Sequence, residues 1–298
     1  MNNTAIRQLS FSQLVVDRAR LYAQMGKLRL SSLVVFSAVM AYLFEGVSYT
    51  WLSLLWLALG GFLVTVAANS INQIIEKESD KLMDRTAARP LPLGNLSAIE
   101  ATIFAGVCGV AGVAVLGYFF NPLSGLLGAI SLLMYAFIYT PFKKLSPASV
   151  FIGAVPGAMP LLIGSTAAAG QVTSAGILMF VVQFLWQMPH FWAIAWLLNS
   201  DYAKAGFSLL PSGKGKSRDA ALQNIPYLIA LLLVSMLAYI TGFIGVYALV
   251  VASICGVYFL YAGVQLCIDI SDKSAKRLMF ASFIYIPVVQ IAFVLDRI

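Results

Sequence analysis

The segment Asn72-Gln73-Ile74-Ile75-Glu76-Lys77-Glu78-Ser79-Asp80-Lys81-Leu82-Met83-Asp84-Arg85-Thr86-Ala87-Ala88-Arg89-Pro90 crowds acids and bases directly behind a long apolar run. Asn72, Glu76, Asp80 and Asp84 recur every four residues, a period that keeps neighbours on one helical face, about 6 Å apart along the axis. Carboxylate and amide oxygens are hard ligands suited to Mg²⁺, which commonly takes one or two carboxylates together with substrate phosphates. Arg85 and Arg89, also four apart, can fork onto phosphate oxygens. Lys77 and Lys81 have acids at helical spacing with which to pair. The plain alternative is a salt-bridged helix end that stops at Arg89-Pro90.

A second constellation is buried in apolar sequence. Gln183, Gln187 and His190, the only histidine of the chain, fall at i, i+4 and i+7 within Gln183-Phe184-Leu185-Trp186-Gln187-Met188-Pro189-His190-Phe191-Trp192. The spacing predicts one shared face, and Pro189 can open the helix and free backbone carbonyls. Such groups are expected to face a bundle interior or cavity; the alternative is hydrogen bonding between helices. Beyond them, Asp201 can bring a second metal-binding carboxylate to the same surface as Asp80, and Lys204 a phosphate contact; a solvated loop is the alternative for both. Two acidic elements above aromatic-rich helices suit an amphiphile with a phosphorylated head and a greasy tail. Trp186, Phe191 and Trp192 are the rings best placed by sequence to wall such a site.

The elements that must position these groups are transmembrane. Only 10% of the 298 residues are charged and 60% are hydrophobic, against about 25% and 45–50% in soluble domains. Six stretches, 30–44, 46–75, 101–142, 145–200, 220–268 and 278–295, contain no Asp, Glu, Lys or Arg. A bilayer core about 30 Å thick needs roughly 20 helical residues, so the three longest stretches hold two helices each and the chain holds nine. The expected spans are 30–47, 51–74, 101–119, 124–141, 149–168, 174–197, 221–241, 244–266 and 278–296. The expected fold is therefore all-α and polytopic, with an amino-terminal segment 1–29 and a single membrane domain 30–298.

Alternating the nine spans puts every Lys and Arg except Arg297 on one side. By the positive-inside tendency that side is cytoplasmic and the carboxyl terminus lies outside. The net charge of +7 then follows from topology and anionic headgroups and calls for no nucleic acid. Residues 10–27 read as an amphipathic surface helix, with Phe11, Leu14, Val15, Leu21 and Tyr22 opposite Arg18 and Arg20. Cys108, Cys255 and Cys267 have no metal-like spacing and read as small buried side chains.

Asn72-x₃-Glu76-x₃-Asp80-x₂-Met83-x-Arg85-Thr86-x₂-Arg89-Pro90 resembles the first signature of the UbiA-type intramembrane prenyltransferases. Tyr139-Thr140-Pro141-Phe142-Lys143-Lys144, Gly153-Ala154-Val155-Pro156-Gly157-Ala158-Met159-Pro160, Trp186 through Trp192 and Asp201-Tyr202-x₂-Ala205-Gly206 narrow the resemblance to the haem-farnesylating branch. It runs from about Lys27 to Pro287, with departures at Lys27-Leu28 (Lys-Pro in the family), at Ser165 (Trp) and at Glu76 (often Asp).

The resemblance implies nine helices around a central cavity. It also implies Mg²⁺ and farnesyl diphosphate at the cytoplasmic end, and haem B as a substrate that becomes haem O. It assigns metal contacts to Asn72, Glu76, Asp80, Asp84 and Asp201, and catalytic roles to Asn72, Asp80, Arg85, Lys143 and His190. Substrate contacts fall to Arg89, Lys144, Gln187, Trp186 and Lys204. His190 is a candidate to approach haem iron or orient the porphyrin. The implied setting is a bacterial inner membrane, with membrane lipids, haem A synthase and terminal-oxidase assembly factors as candidate partners. Two rivals remain open at this level: prenylation of an aromatic or quinone precursor, and transport through a broken helix.

Overall fold

The computed structural model describes residues 11–212 and 215–298, and among them there is no β-strand. One isolated bridge pairs Ile244 with Arg297. The helices are α1 (Phe11–Gly26), α2 (Leu28–Phe44), α3 (Trp51–Ile75), α4 (Lys77–Asp80), α5 (Ala98–Phe119), α6 (Pro122–Leu133), a π-helical stretch Met134–Tyr139, α7 (Thr140–Phe142), α8 (Ser149–Ala169), α9 (Ser174–Leu197), α10 (Asn199–Lys204), α11 (Arg218–Leu222), α12 (Asn224–Ile240), α13 (Val246–Asp269) and α14 (Asp272–Leu295).

Among the described residues eight helical spans are individually long and apolar enough to cross a membrane. The ninth is α2, whose 17 residues follow α1 across a 53° bend. The expected count thus holds, while several ends move. α14 starts at Asp272 rather than 278, because Ser271 caps it and accepts a hydrogen bond from the Ser274 N–H. Its first two turns carry Asp272, Lys273, Lys276 and Arg277 out of the apolar region without leaving the helix. Charge-free sequence marks the hydrocarbon depth, whereas caps mark the helix. The same chemistry starts α3, where Thr50 and Ser53 form a capping box, and α9, where Thr173 accepts from the Gly176 N–H.

Packing closes a ring. In turn, α2 contacts α3, α3 contacts α5, α5 contacts α6, α6 contacts α8, and α8 returns to α2 and meets α9; α9 meets α12 and α14, α13 bridges those two, and α14 touches α2. Within a bilayer, helices gain little from apolar burial alone and associate through small residues that let backbones approach. Gly112 of α5 is such a point: a Cβ there would lie 2.8 Å from the Val64 nitrogen and 2.9 Å from the Gly60 carbonyl oxygen of α3.

The surface helix α1 differs from its expected pattern. Arg18 and Tyr22, assigned to opposite faces by sequence, both reach Glu100 at the start of α5, at 3.2 and 2.6 Å. Four-residue spacing aligns them, and the carboxylate supplies the charge that draws Arg18 to the helix's docked side. Val15 stays exposed while Leu21 is half-buried; the side chains of Phe11 and Leu14 lie outside the described residues.

Candidate active site at one end of the bundle

The helical ladder of α3 ends at Ile75, and Glu76 adopts φ −89°, ψ 5°, so α4 leaves in a new direction. Asn72, still within α3, donates from Nδ2 to Thr140 Oγ1 at 3.1 Å. The Thr140 hydroxyl in turn donates to the Tyr135 carbonyl at 2.8 Å. Glu76 pairs with Lys143 at 2.9 Å, their side chains 6% and 13% exposed. Asp80 is fully buried; its Oδ2 meets Arg89 Nη1 at 2.6 Å, while its Oδ1 has no hydrogen-bond partner. The Thr86 hydroxyl donates to the Asp80 carbonyl at 2.9 Å and fixes the chain reversal that brings Arg89 back.

The expected single face of four oxygen ligands is therefore not what forms. Two breaks, after Ile75 and after Asp80, separate like charges that one face would hold together, and each acid finds its own cation. Asp84 turns to water and pairs with Lys204 at 2.5 Å. Asp201 accepts from the backbone N–H groups of Asp84 at 2.8 Å and Arg85 at 3.4 Å, with Lys204 at 3.7 Å, so it braces the two loops against each other. Arg85 and Lys144 are exposed. Lys81 pairs with Glu78 at 2.8 Å, as helical spacing predicts. Among the described residues no three His, Cys, Asp or Glu side chains gather closely enough to hold a metal ion by themselves.

Electrostatics follow from burial. Burial raises the Asp80 carboxyl above its usual range, with Arg89 opposing. At Lys143 burial works to lower the ammonium, but Glu76 and Tyr135 outweigh it and the pKa is raised. At Asp201 burial works upward, yet the Asp84 and Arg85 N–H donors and Lys204 hold the carboxyl low.

Sequence reasoning missed three participants. Lys27 links α1 to α2 in the left-handed region, φ 47°, ψ 56°. The Gln73 amide, donating to the Met25 carbonyl at 2.7 Å, and the Ser31 hydroxyl, donating to the Gly26 carbonyl at 2.7 Å, clamp the junction. Its ammonium feels Arg89, Lys143, Glu76 and Arg85, and burial first, then Arg89 and Lys143, pushes its pKa down to about 7. Tyr135 and Tyr139 are the others, with ring centroids 5.2 Å apart and the Lys143 ammonium 4.8 Å over the Tyr139 ring. The π-helical stretch Met134–Tyr139 re-aims them, a distortion frequent at functional sites. Gly153 of α8 makes room, since a Cβ there would come within 2.5 Å of the Tyr139 ring. A lysine within a run of mixed sequence and a π-turn leave no periodic signal.

The second constellation lies within the bundle. Gln187 donates to the Ala154 carbonyl of α8 and the Gln183 carbonyl, both at 3.2 Å. Gln183 Oε1 accepts from Gln290 of α14 at 3.1 Å, and His190 Nδ1 meets Ser282 Oγ of α14 at 2.8 Å. Trp186 donates its indole N–H to the Ser282 carbonyl at 2.8 Å and stacks on His190 at 4.6 Å and 13°. The shared face thus meets a seam between α8 and α14, and α9 runs helical through Pro189. Trp192 is 1% exposed and packs on Phe151 and Tyr227, which makes it core and not wall.

A ring of membrane-spanning helices with basic groups gathered over buried acids at one end defines an intramembrane enzyme for an anionic amphiphile. The chain belongs to the UbiA prenyltransferase family, whose model matches residues 33–285. It is similar to the protoheme IX farnesyltransferase of Cytophaga hutchinsonii, 46% identical over 278 residues, covering 93% of this chain and 97% of the relative. Among solved structures it resembles digeranylgeranylglyceryl phosphate synthase, with a TM-score of 0.79 and 21% identity over 94% of this chain and 98% of that one. It also resembles a UbiA homologue from Archaeoglobus fulgidus bound to DMAPP and Mg²⁺, with a TM-score of 0.65 and 15% identity over 92% of this chain and 98% of that one.

Proposed function

We propose that this chain farnesylates haem B, taking the farnesyl group from farnesyl diphosphate and releasing diphosphate and haem O. The observation that carries the site assignment is the gathering of Lys27, Arg89 and Lys143 over Glu76 and Asp80, at one end of an apolar bundle. The 46% identity to a protoheme IX farnesyltransferase supports haem B over a phenolic acceptor.

Allylic substitution here is a matter of charge. As the bond between farnesyl C1 and oxygen breaks, negative charge grows on the diphosphate and positive charge on the allyl group. Lys143 and Arg89 supply fixed positive charge where the oxygens depart, and such preorganised groups are worth most in a dry site; Lys27 adds to it once the bound diphosphate draws a proton onto its amine. The Tyr135 and Tyr139 rings offer faces that stabilise a passing carbocation and shelter it from early water capture. The terminal carbon of the haem vinyl group then bonds to C1, water adds to the cation left beside the macrocycle, and loss of a proton leaves the hydroxyl of the hydroxyethylfarnesyl chain.

The donor set fits Mg²⁺ shared with substrate: Asp80 Oδ1 is a buried, unpartnered carboxylate oxygen, and Glu76 and Asn72 lie one turn apart before it. When bound, Mg²⁺ would neutralise charge on the departing oxygens. We place the site on the cytoplasmic side of a bacterial inner membrane, with residues 1–29 preceding a single domain 30–298. Asp84, Asp201 and Lys204 then act by holding the α4 and α10 loops together, and Arg85 and Lys144 as exposed charges at the rim.

Membranes containing the protein, given farnesyl diphosphate, Mg²⁺ and haem B, should yield haem O and diphosphate. Prenylation of a phenolic acid with no haem O would overturn the acceptor assignment, and no transfer to either would overturn the enzyme assignment.

A further inference from the structure

We infer that Thr140 is the positioning residue that makes Asn72 an oxygen ligand: its hydroxyl sets the amide so that Oδ1, and not Nδ2, is free for the Mg²⁺ that accompanies the diphosphate. The inference rests on the reading of Asn72, Glu76 and Asp80 as a metal-binding edge. An asparagine amide carries an acceptor on one side and two N–H donors on the other, and only the acceptor can bind a cation. A neighbour has to choose between them.

The choice follows from counting protons. A hydroxyl has one to give. Thr140 Oγ1 gives it to the Tyr135 carbonyl at 2.8 Å, which has none to return. In the 3.1 Å contact with Asn72 the Thr140 oxygen must then accept, and the amide must present Nδ2. Oδ1 is thereby left to face elsewhere, and among the described residues no group donates to it. Both residues are 2% exposed, so the pair forms away from bulk water, where a hydrogen bond of fixed direction counts most. The reverse order, with the hydroxyl donating to Oδ1, would give up the Tyr135 bond and add N–H donors to a site that already holds Lys27, Arg89 and Lys143.

The π-turn builds this device. A threonine inside an α-helix bonds its hydroxyl to the carbonyl four residues back. Here Met134–Tyr139 is π-helical, the Thr140 N–H bonds to the Tyr135 carbonyl five residues back, and the hydroxyl follows it there. Pro141 comes next, and its ring, which crowds the carbonyl four residues before it, favours the wider turn. One carbonyl thus fixes both the backbone and the hydroxyl rotor of Thr140. Packing of α3 against this stretch would need no proton order, since valine has the same shape. Groups that orient a metal ligand from behind typically change metal affinity by about 10- to 100-fold when removed.

The test measures the Mg²⁺ concentration needed for a non-ionising farnesyl diphosphate analogue to bind purified enzyme in lipid nanodiscs. Mn²⁺ electron paramagnetic resonance and haem O formation are followed on the same preparations. Thr140→Val keeps the shape and removes the hydroxyl. It should raise the half-saturating Mg²⁺ concentration by about 10-fold or more, with binding of the analogue in the absence of metal unchanged. Thr140→Ser should restore the wild-type value. Asn72→Asp carries an oxygen on both sides and needs no orienting partner, so adding Thr140→Val to it should change the Mg²⁺ requirement little, and the two losses should be strongly non-additive.

A wild-type Mg²⁺ requirement in Thr140→Val would overturn the inference. An equal loss from Thr140→Val in both backgrounds would also overturn it and assign the hydroxyl to helix packing. Should Thr140→Val fail to fold, Thr140→Ala in the two backgrounds gives the same reading. A wild type that binds the analogue equally well with and without Mg²⁺, and takes up no Mn²⁺, would overturn the metal reading itself, whatever Thr140 does.

Discussion

Both ends of the helix ring hold acidic side chains in hydrogen bonds or ion pairs, and they treat them differently. At the end that carries the carboxyl terminus, Glu45 accepts hydrogen bonds from the Ser165 and Thr173 hydroxyls, Asp296 accepts from the Ala248 N–H at 2.7 Å, and Arg297 donates to the Gly46 carbonyl at 3.3 Å. Those acids use uncharged donors, within short turns, and what they hold is the chain. At the end that carries α4 and α10, Glu76, Asp80 and Asp84 each meet a Lys or Arg, Lys27 adds positive charge, and Asp80 keeps an oxygen with no partner. Neutral hydrogen bonds close an end; charge pairs with a surplus of bases leave it able to exchange partners for a polyanion.

The largest expected effect is at Asp80. Asp80→Asn keeps the shape but removes the charge that faces both Arg89 and an incoming metal. Turnover should fall by about 100-fold or more, in the range for losing one preorganised electrostatic group, while the protein stays in the membrane. Activity within a few-fold of wild type, measured as haem O formed, would mean that Glu76 and Asp80 are structural like Glu45 and Asp296. Lys143→Met should come next, costing about 10- to 100-fold, because it removes a cation from the diphosphate and leaves Glu76 buried without its partner. Restoration of activity by Lys143→Arg would tie the loss to charge.

The end that holds Glu45 supplies the opposite outcome. Thr173→Val removes the hydroxyl that both caps α9 and donates to Glu45 at 2.6 Å. It should lower thermal stability by about 1–2 kcal/mol and leave haem O formation per folded molecule unchanged. A large loss of specific activity at constant stability would erase the distinction between the two ends.

How much of this was legible in the sequence depends on which force fixed each feature. The membrane spans and the gathering of Lys and Arg at one end of the bundle follow from hydrophobicity and could be read directly. The identities of Asn72, Glu76, Asp80, Arg89 and Lys143 were legible as chemistry, but their arrangement was not. A four-residue period predicts one face only if the helix continues, and repulsion among the acids together with the pull of distant bases breaks it at Glu76. Gln183, Gln187 and His190 do share a face, yet periodicity says nothing of what that face meets, and their partners Gln290 and Ser282 lie about 100 residues further along the chain. Lys27 and the Tyr135–Tyr139 pair depend on a left-handed residue and a π-turn, which only tertiary contacts stabilise.

Lys27 gives the smallest effect and the sharpest probe of the surplus of bases. With its pKa near 7 in the free enzyme, the side chain is mostly neutral at pH 8 and mostly charged at pH 6. A bound diphosphate offers the counter-charge it lacks and must raise that pKa, so binding draws in a proton above pH 7 and not below it. Calorimetric titrations with a non-ionising farnesyl diphosphate analogue, in buffers of different ionisation enthalpy, should show uptake approaching about one proton per ligand near pH 8. In Lys27→Met that uptake should be absent, and in Lys27→Arg, whose charge does not titrate in this range, affinity should stay level between pH 7 and 8 where the wild type weakens. Equal proton uptake by wild type and Lys27→Met would place Lys27 outside the anion's field and assign the left-handed turn between α1 and α2 to folding alone.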